Sequence, residues 1–273
     1  VNTFIEELRQ GKPQLGLCVM YPAPGIIERI GSDWDWIWID GQHGQFGYQD
    51  ILGMVRACNL IRRPAFVRVP SHERGFIGLM LDSGANGLIV PQVETVSDAN
   101  SIVAASKFPP LGQRSYGGRR PIDMVGRNYS ETAQKEVLIV AQIESPLAIE
   151  NADSIAAVPG IDALFLGPDD IMMRRGFPMT SSHSKDILGK DMESVINACR
   201  KHNKMACMVG VAQEMLSLCT SMGFNMIVAG GDVPFLANSS KQASMAARNM
   251  LNNSNMLAPA DVFIDNKSTS SPY

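Results

Sequence analysis

The sequence predicts an α/β fold, a single (β/α)8 TIM barrel, and three observations carry that expectation. Short apolar runs recur eight times along the chain, and stretches with helical spacing lie between them. The length of 273 residues suits one barrel, which typically runs to about 250 residues. Eight strand-and-helix units in succession favour a closed barrel over an open doubly wound sheet.

The opening stretch Val-Asn-Thr-Phe-Ile-Glu-Glu-Leu-Arg-Gln combines acids with helical spacing, whereas a signal peptide has a basic section followed by an apolar one. The first strand is expected at residues 15–20 and the second at 36–40. The third to eighth follow at 65–69, 87–90, 138–142, 163–167, 205–208 and 226–230. All are short and nearly continuously apolar, as strands buried on both faces are. Helical periodicity marks 48–59, 97–106, 192–201 and 212–221, and Gly84 and Gly223 sit where helices should end before the next strand.

Two stretches break the rhythm. Residues 107–137, with Pro109-Pro110 and Gly117-Gly118-Arg119-Arg120, are expected to form a long βα connection reaching over the catalytic face. Residues 1–251 are assigned to the barrel domain, and 252–273, rich in Asn, Ser and Pro, to a C-terminal tail that is flexible or packed on another subunit. No internal repeat is evident, and a single domain is expected.

The formal net charge is −3, with 45% hydrophobic and 19% charged residues. This balance offers no general attraction to nucleic acid or to an anionic membrane. No apolar stretch approaches the roughly 20 residues that cross a bilayer. Five cysteines, an odd number without a CxxC pair, read as buried fillers in a reduced compartment, so the expected location is cytoplasmic.

The chemistry is expected where strands end, because a parallel barrel builds its active site on that face. Asp40-Gly-Gln-His43 closes the second strand. Across this Gly turn the Asp40 carboxylate is placed to accept the imidazole N–H and fix the tautomer, leaving the other nitrogen of His43 as a base. The plain alternative is a loop histidine. Arg68 ends the third strand, and burying an Arg in an apolar run is costly unless it faces an anion. That anion is a developing enolate, or else Asp40 or Glu144 in a structural ion pair.

Glu144 and Asp170 follow the fifth and sixth strands. Two carboxylates on adjacent strand ends suit a hard divalent cation, Mg²⁺ or Mn²⁺, that keeps several waters for a 2-oxo acid to displace. Alone, each acid reads equally as a loop cap or ion-pair partner. Gly167-Pro168-Asp169-Asp170 makes a tight turn whose backbone N–H groups suit a carboxylate. Gln142, two residues before Glu144, should share its side of the strand. Gly230-Gly231-Asp232 reads as a loop cap. None of the lysines falls at the C-terminal end of an expected strand, which disfavours a Schiff-base mechanism.

Five segments occur in order: Trp34-Asp-Trp-Ile-Trp-Ile-Asp-Gly-Gln-His43, Val67-Arg-Val-Pro70, Pro109-Pro-Leu-Gly-Gln-Arg114, Gln142-Ile-Glu144 and Phe165-Leu-Gly-Pro-Asp-Asp170. Together, from about residue 15 to residue 251, they resemble the metal-dependent (class II) pyruvate aldolases of the 4-hydroxy-2-oxoheptanedioate and 2-keto-3-deoxyglucarate aldolase family. That family lies in the citrate-lyase-like superfamily and is related to macrophomate synthase.

The resemblance implies that Glu144 and Asp170 bind the divalent metal, Mg²⁺ foremost, with Mn²⁺ or Co²⁺ as alternatives. It implies that His43 with Asp40 handles protons and that Arg68 faces the enolate oxygen. The turn of Gly167, Pro168 and Asp169 would receive the pyruvate carboxylate, with Gln142 beside it. It further implies a homo-oligomer, a hexamer made as a trimer of dimers that exchange a C-terminal helix near 239–251.

Three departures stand out. Gln42 replaces the family's Glu before the histidine, removing a negative charge beside the base. Arg114-Ser-Tyr-Gly117 replaces Arg-Gly-x-Gly. Met172-Met-Arg-Arg175 replaces a small, polar stretch and would reshape acceptor entry.

The expected function is a carbon–carbon lyase that reversibly cleaves a 4-hydroxy-2-oxo acid to pyruvate and an aldehyde through a metal-bound pyruvate enolate. The alternatives are an oxaloacetate decarboxylase or macrophomate-synthase-like enzyme using the same enolate, and a non-catalytic barrel that binds 2-oxo acids. An acyl-CoA lyase is disfavoured by the absence of a basic cluster suited to a nucleotide.

Overall fold

Eight parallel strands close into a barrel in sequence order in the computed structural model, which describes residues 2–253. After α1 (Asn2–Arg9) come β1 (Gln14–Val19), α2 (Pro24–Ile30), β2 (Trp36–Asp40), α3 (Tyr48–Leu60), β3 (Ala65–Arg68), α4 (Arg74–Asp82), β4 (Gly87–Val90) and α5 (Val96–Ser106). Two short helices, α6 (Arg119–Val125) and α7 (Tyr129–Glu136), precede β5 (Leu138–Ile143), α8 (Pro146–Glu150), α9 (Ala152–Ala156), β6 (Ala163–Leu166) and α10 (Pro168–Arg174). The series ends with α11 (Lys185–Lys201), β7 (Met205–Val209), α12 (Gln213–Met222), β8 (Met226–Gly231) and α13 (Asp232–Asn253). All eight strands lie at the expected places, with ends displaced by one residue at most, so the (β/α)8 expectation holds.

Strand periodicity divides the core in two. Trp36, Trp38, Phe66, Val140 and Phe165 belong to a cluster inside the barrel. Their neighbours in sequence, such as Ile37, Ile39, Val67, Ile139 and Leu164, join the layer between strands and helices. Alternate side chains point to opposite faces of a strand, and here both faces are apolar. Each large side chain that is fully buried contributes roughly 1.5–3 kcal/mol.

Filling the barrel with rings depends on glycines beside them. Gly16 is in register with Trp36, and a Cβ on it would fall 2.4 Å from the indole. Gly87 is in register with Phe66, and its Cβ would fall 2.3 Å from that ring. Small residue and large ring thus form one packing unit across each strand pair. Helix α1 closes the end of the barrel opposite the catalytic face: Phe4, Ile5 and Leu8 join the interior cluster, and the Asn225 side-chain amide donates to the carbonyl of Leu8 at 2.9 Å.

Residues 107–137 depart from expectation. They join α5 to β5, so they are an αβ connection and lie at the strand-start end. The chain has already returned there along α5. Lys107 Nζ donates to the carbonyl of Val137 at 2.7 Å and meets Asp162, just before β6, at 3.1 Å. Arg114 pairs with Asp82 at the end of α4 at 2.8 Å, and Arg120 donates to the Ser83 carbonyl at 3.0 Å. These partners hold the segment away from the catalytic face.

Compactness divides the chain at Val233, earlier than residue 251, into units Val1–Val233 and Pro234–Tyr273. The second is described to Asn253 and consists there of most of α13, whose residues from Pro234 to Asn252 are exposed. The helix expected at 239–251 lies within α13, and Asn252 and Asn253, assigned to the tail, are helical. Residues 254–273 of the expected tail lie outside the described residues. All five cysteines are free thiols, and no described helix is long and apolar enough to cross a membrane.

Candidate active site

The inward positions at the C-terminal ends of β2, β3 and β5 carry charge in place of apolar groups. Asp40 and Arg68 are in register on neighbouring strands. Their side chains pair through two parallel bonds: Arg68 Nε donates to Asp40 Oδ1 at 2.8 Å and Nη2 to Oδ2 at 2.6 Å. Both residues are buried. A two-pronged guanidinium–carboxylate pair in such surroundings fixes orientation as well as charge. The structural ion pair weighed for Arg68 is therefore present, and its partner is Asp40. The Arg68 Nη1 group has no bond to another described residue, which leaves it available to an anion.

The same pairing overturns the expected imidazole contact. Asp40 Oδ1 accepts the backbone N–H groups of Gln42 and His43, each at 3.2 Å, and shapes the turn with them. Its carboxylate is committed to Arg68 and these amides, while His43 stands exposed on the turn. A carboxylate three residues before a histidine reaches the nearby amides more readily than the ring.

Glu144, just beyond β5, is almost completely buried. Its Oε1 accepts the backbone N–H of Gln92 at 2.6 Å, and its Oε2 accepts the Gln142 side-chain amide at 2.5 Å. Gln142 thus shares the side of Glu144, as the strand period requires. Burial pushes the Glu144 carboxyl up from its ordinary range, and the neighbouring charge of Asp170 pushes the same way. The Gln92 amide, Arg68 and Gln142 oppose this without reversing it.

Gly167 lets β6 approach this carboxylate. A Cβ there would fall 2.8 Å from Glu144 Cβ and 2.9 Å from its Oε2. Pro168 opens α10, and Asp169 and Asp170 occupy its first turn. Asp170 is half-buried. Asp169 is exposed, with Oδ1 2.7 Å from His183 Nε2. The His183 bond holds its carboxyl below the usual range, with a smaller contribution from the charge of Arg68.

Two participants escaped the sequence reading. Gln92 has φ +54°, a left-handed conformation unusual for a side-chain-bearing residue, and it aims its N–H at Glu144. Only Pro91, in a short turn at the end of β4, hinted at special backbone. His183 lies 14 residues from its partner, and nothing in the local pattern links them. Of the Met172–Arg175 stretch, Met172 is buried and Arg175 pairs with Asp191 at 2.5 and 2.7 Å. Met173, Arg174 and Arg175 are exposed, Arg174 lying 3.1 Å from Glu94. Asp232 accepts the N–H groups of Met20, Tyr21 and Val233 at 2.8–3.1 Å and is the loop cap expected of it.

Among the described residues no group of three or more His, Cys, Asp and Glu is arranged to hold a metal. The donor set of Glu144 and Asp170 still fits a hard cation. The charge of Asp170 adds to the cost of ionising buried Glu144, which a cation relieves. Gln142 Oε1, buried without a partner, is a further acceptor beside them.

A family model described as HpcH/HpaI aldolase/citrate lyase matches residues 19–239. A 4-hydroxy-2-oxovalerate aldolase of Novosphingobium aromaticivorans is 43% identical over 185 residues, 67% of this chain and 71% of that protein. A 2-keto-3-deoxy-L-rhamnonate aldolase of Salmonella gallinarum is 33% identical over 235 residues, 85% and 87% of the two chains. Among solved structures, a Burkholderia cenocepacia protein of the HpcH/HpaI aldolase/citrate lyase family superimposes with a TM-score of 0.82 at 27% identity, covering 91% of this chain and 100% of the other.

Proposed function

The chain belongs to the HpcH/HpaI aldolase/citrate lyase family and is a carbon–carbon lyase that cleaves a 4-hydroxy-2-oxo acid to pyruvate and an aldehyde, and we propose that it does so with a divalent cation at Glu144 and Asp170. The observation that carries this reading is buried Glu144 with a second acid, Asp170, at the next strand end and the unpartnered Oε1 of Gln142 beside it. Mg²⁺ is the expected ion, since oxygen ligands and retained waters suit it. When bound, the cation supplies a Lewis acid that lowers the cost of the enolate of pyruvate.

The chain's own groups do the rest. Arg68, held along one edge by Asp40, turns its free Nη1 toward the enolate oxygen and stabilises the charge that develops there. The turn of Gly167, Pro168 and Asp169 receives the substrate carboxylate, with Gln142 alongside. His43 takes the 4-hydroxyl proton during cleavage and returns it during condensation.

The working form is a cytoplasmic homo-oligomer, a trimer of dimers that exchange α13. Leu236 and Met250 are exposed on one side of this 22-residue helix, and such a helix gains most of its stability from packing an apolar face.

The decisive test is proton exchange. Metal-stripped protein is incubated with pyruvate in heavy water, with and without Mg²⁺ or Mn²⁺, and methyl proton loss is followed by NMR. Exchange that requires metal supports the reading. Exchange undiminished without metal would remove Glu144 and Asp170 from the role given them.

A further inference from the structure

We propose that Trp38 is a positioning residue for Arg68, acting through the face of its indole; the inference rests on the lyase reading above. Trp38 points into the barrel two residues before Asp40, on the same side of β2. The Arg68 guanidinium carbon lies 4.7 Å from the centre of the indole ring. Asp40 therefore holds the guanidinium by its edge and Trp38 holds it by its face. These two constraints fix both the direction and the plane of a side chain that otherwise rotates freely.

The indole is itself immobilised. Phe165 on the opposite side of the barrel meets it edge-to-face, with centroids 5.4 Å apart and planes at 80°. Cys18, in register with Trp38 on β1, is a small neighbour there. Trp38 and Arg68 each retain about 7% of their surface exposed, while α1 closes the other end of the barrel, so what remains accessible faces the catalytic mouth.

The chemistry of the residue argues against a simple filler. Trp38 Nε1 is buried with no hydrogen-bond partner. An unpaired indole N–H makes Trp a costly choice for a core, where Leu or Phe would fill space without that burden. What Trp adds is the strongest cation-binding face of the aromatic side chains. With guanidinium plane and edge both fixed, the free Nη1 stays aimed into the mouth as charge develops on the substrate.

The test compares Trp38→Phe, Trp38→Leu and Trp38→Met in the holoenzyme with Mg²⁺, measuring kcat and KM for cleavage. Trp38→Phe keeps a ring and should stay within about threefold of the wild type. Leu and Met remove the ring, the longer and more adaptable Met standing in should Leu fail to fold; each should lower kcat about 10-fold with KM within about twofold. In an Arg68→Lys background, Trp38→Met should cost little further, because the planar group it positions is gone. Equal losses in the Phe and Met variants, or a Met loss of the same size in both backgrounds, would overturn the inference and leave the lyase reading standing. A wild-type chain inert toward 2-oxo acids with metal present would overturn both.

Discussion

The backbone N–H of Gln92 donates to Glu144 Oε1 at 2.6 Å from a residue whose φ is +54°. A strained turn after β4 thus holds the acid that follows β5. Strained backbone at a site is maintained by its surroundings and commonly costs about 1–3 kcal/mol.

Gln92→Gly keeps this N–H and relieves the strain. It should raise stability by about 1 kcal/mol in urea unfolding, with activity within about twofold of the wild type. Gln92→Pro removes the donor and cannot adopt the angle, so it should lose both stability and metal-dependent activity. Equal behaviour of the two variants would show that the bond to Glu144 does not matter.

Gly167→Ala should displace the Glu144 carboxylate, because its Cβ would lie 2.8 Å from Glu144 Cβ. The expected stability loss is about 1–3 kcal/mol, as for other overpacked sites. Cation affinity, read by calorimetric titration with Mn²⁺, should fall at least about 10-fold, equivalent to about 1.4 kcal/mol. Unchanged affinity would place the cation elsewhere.

Glu144→Ala should abolish metal-dependent turnover while the fold persists. Removing a buried carboxyl whose ionisation is already disfavoured leaves no buried cation deprived of its partner, since Arg68 is paired with Asp40. Circular dichroism and the turnover assay together check this, and full activity in the variant would end the assignment.

His43→Ala should leave stability within about 0.5 kcal/mol, as expected for an exposed residue. Cleavage should slow by about 10²-fold if the imidazole moves the hydroxyl proton. Methyl exchange of pyruvate alone should survive. An equal loss of exchange would transfer the role of His43 to the methyl proton.

Alkaline pH supplies a fifth test. Burial pushes the thiols of Cys58, Cys199 and Cys219 up to about 12, from an ordinary 9.0. Because the folded values lie above the unfolded ones, their contribution is complete below pH 9 and is lost as pH rises from about 9 toward 12. The urea midpoint should therefore fall over this range, less steeply when all three are replaced by Ala. Parallel slopes would refute the linkage.

Sequence alone was enough for the barrel, because each strand is a short apolar run and the run length, the helix spacing and the order are local or sequential properties. It also singled out Asp40, Arg68, Glu144 and Asp170, since charge at the end of an apolar strand is legible without coordinates. What those charges do to one another was decided by tertiary structure. Strand register set Asp40 against Arg68 and withdrew it from the His43 ring. The turn after β4 brought Gln92 to Glu144, and the segment after α10 brought His183 to Asp169. Chain direction placed residues 107–137 at the far end of the barrel. Sequence periodicity tells which face a side chain occupies; only closure of the barrel determines which distant residue meets it there, and hydrogen bonds at 2.5–3.2 Å depend on that meeting.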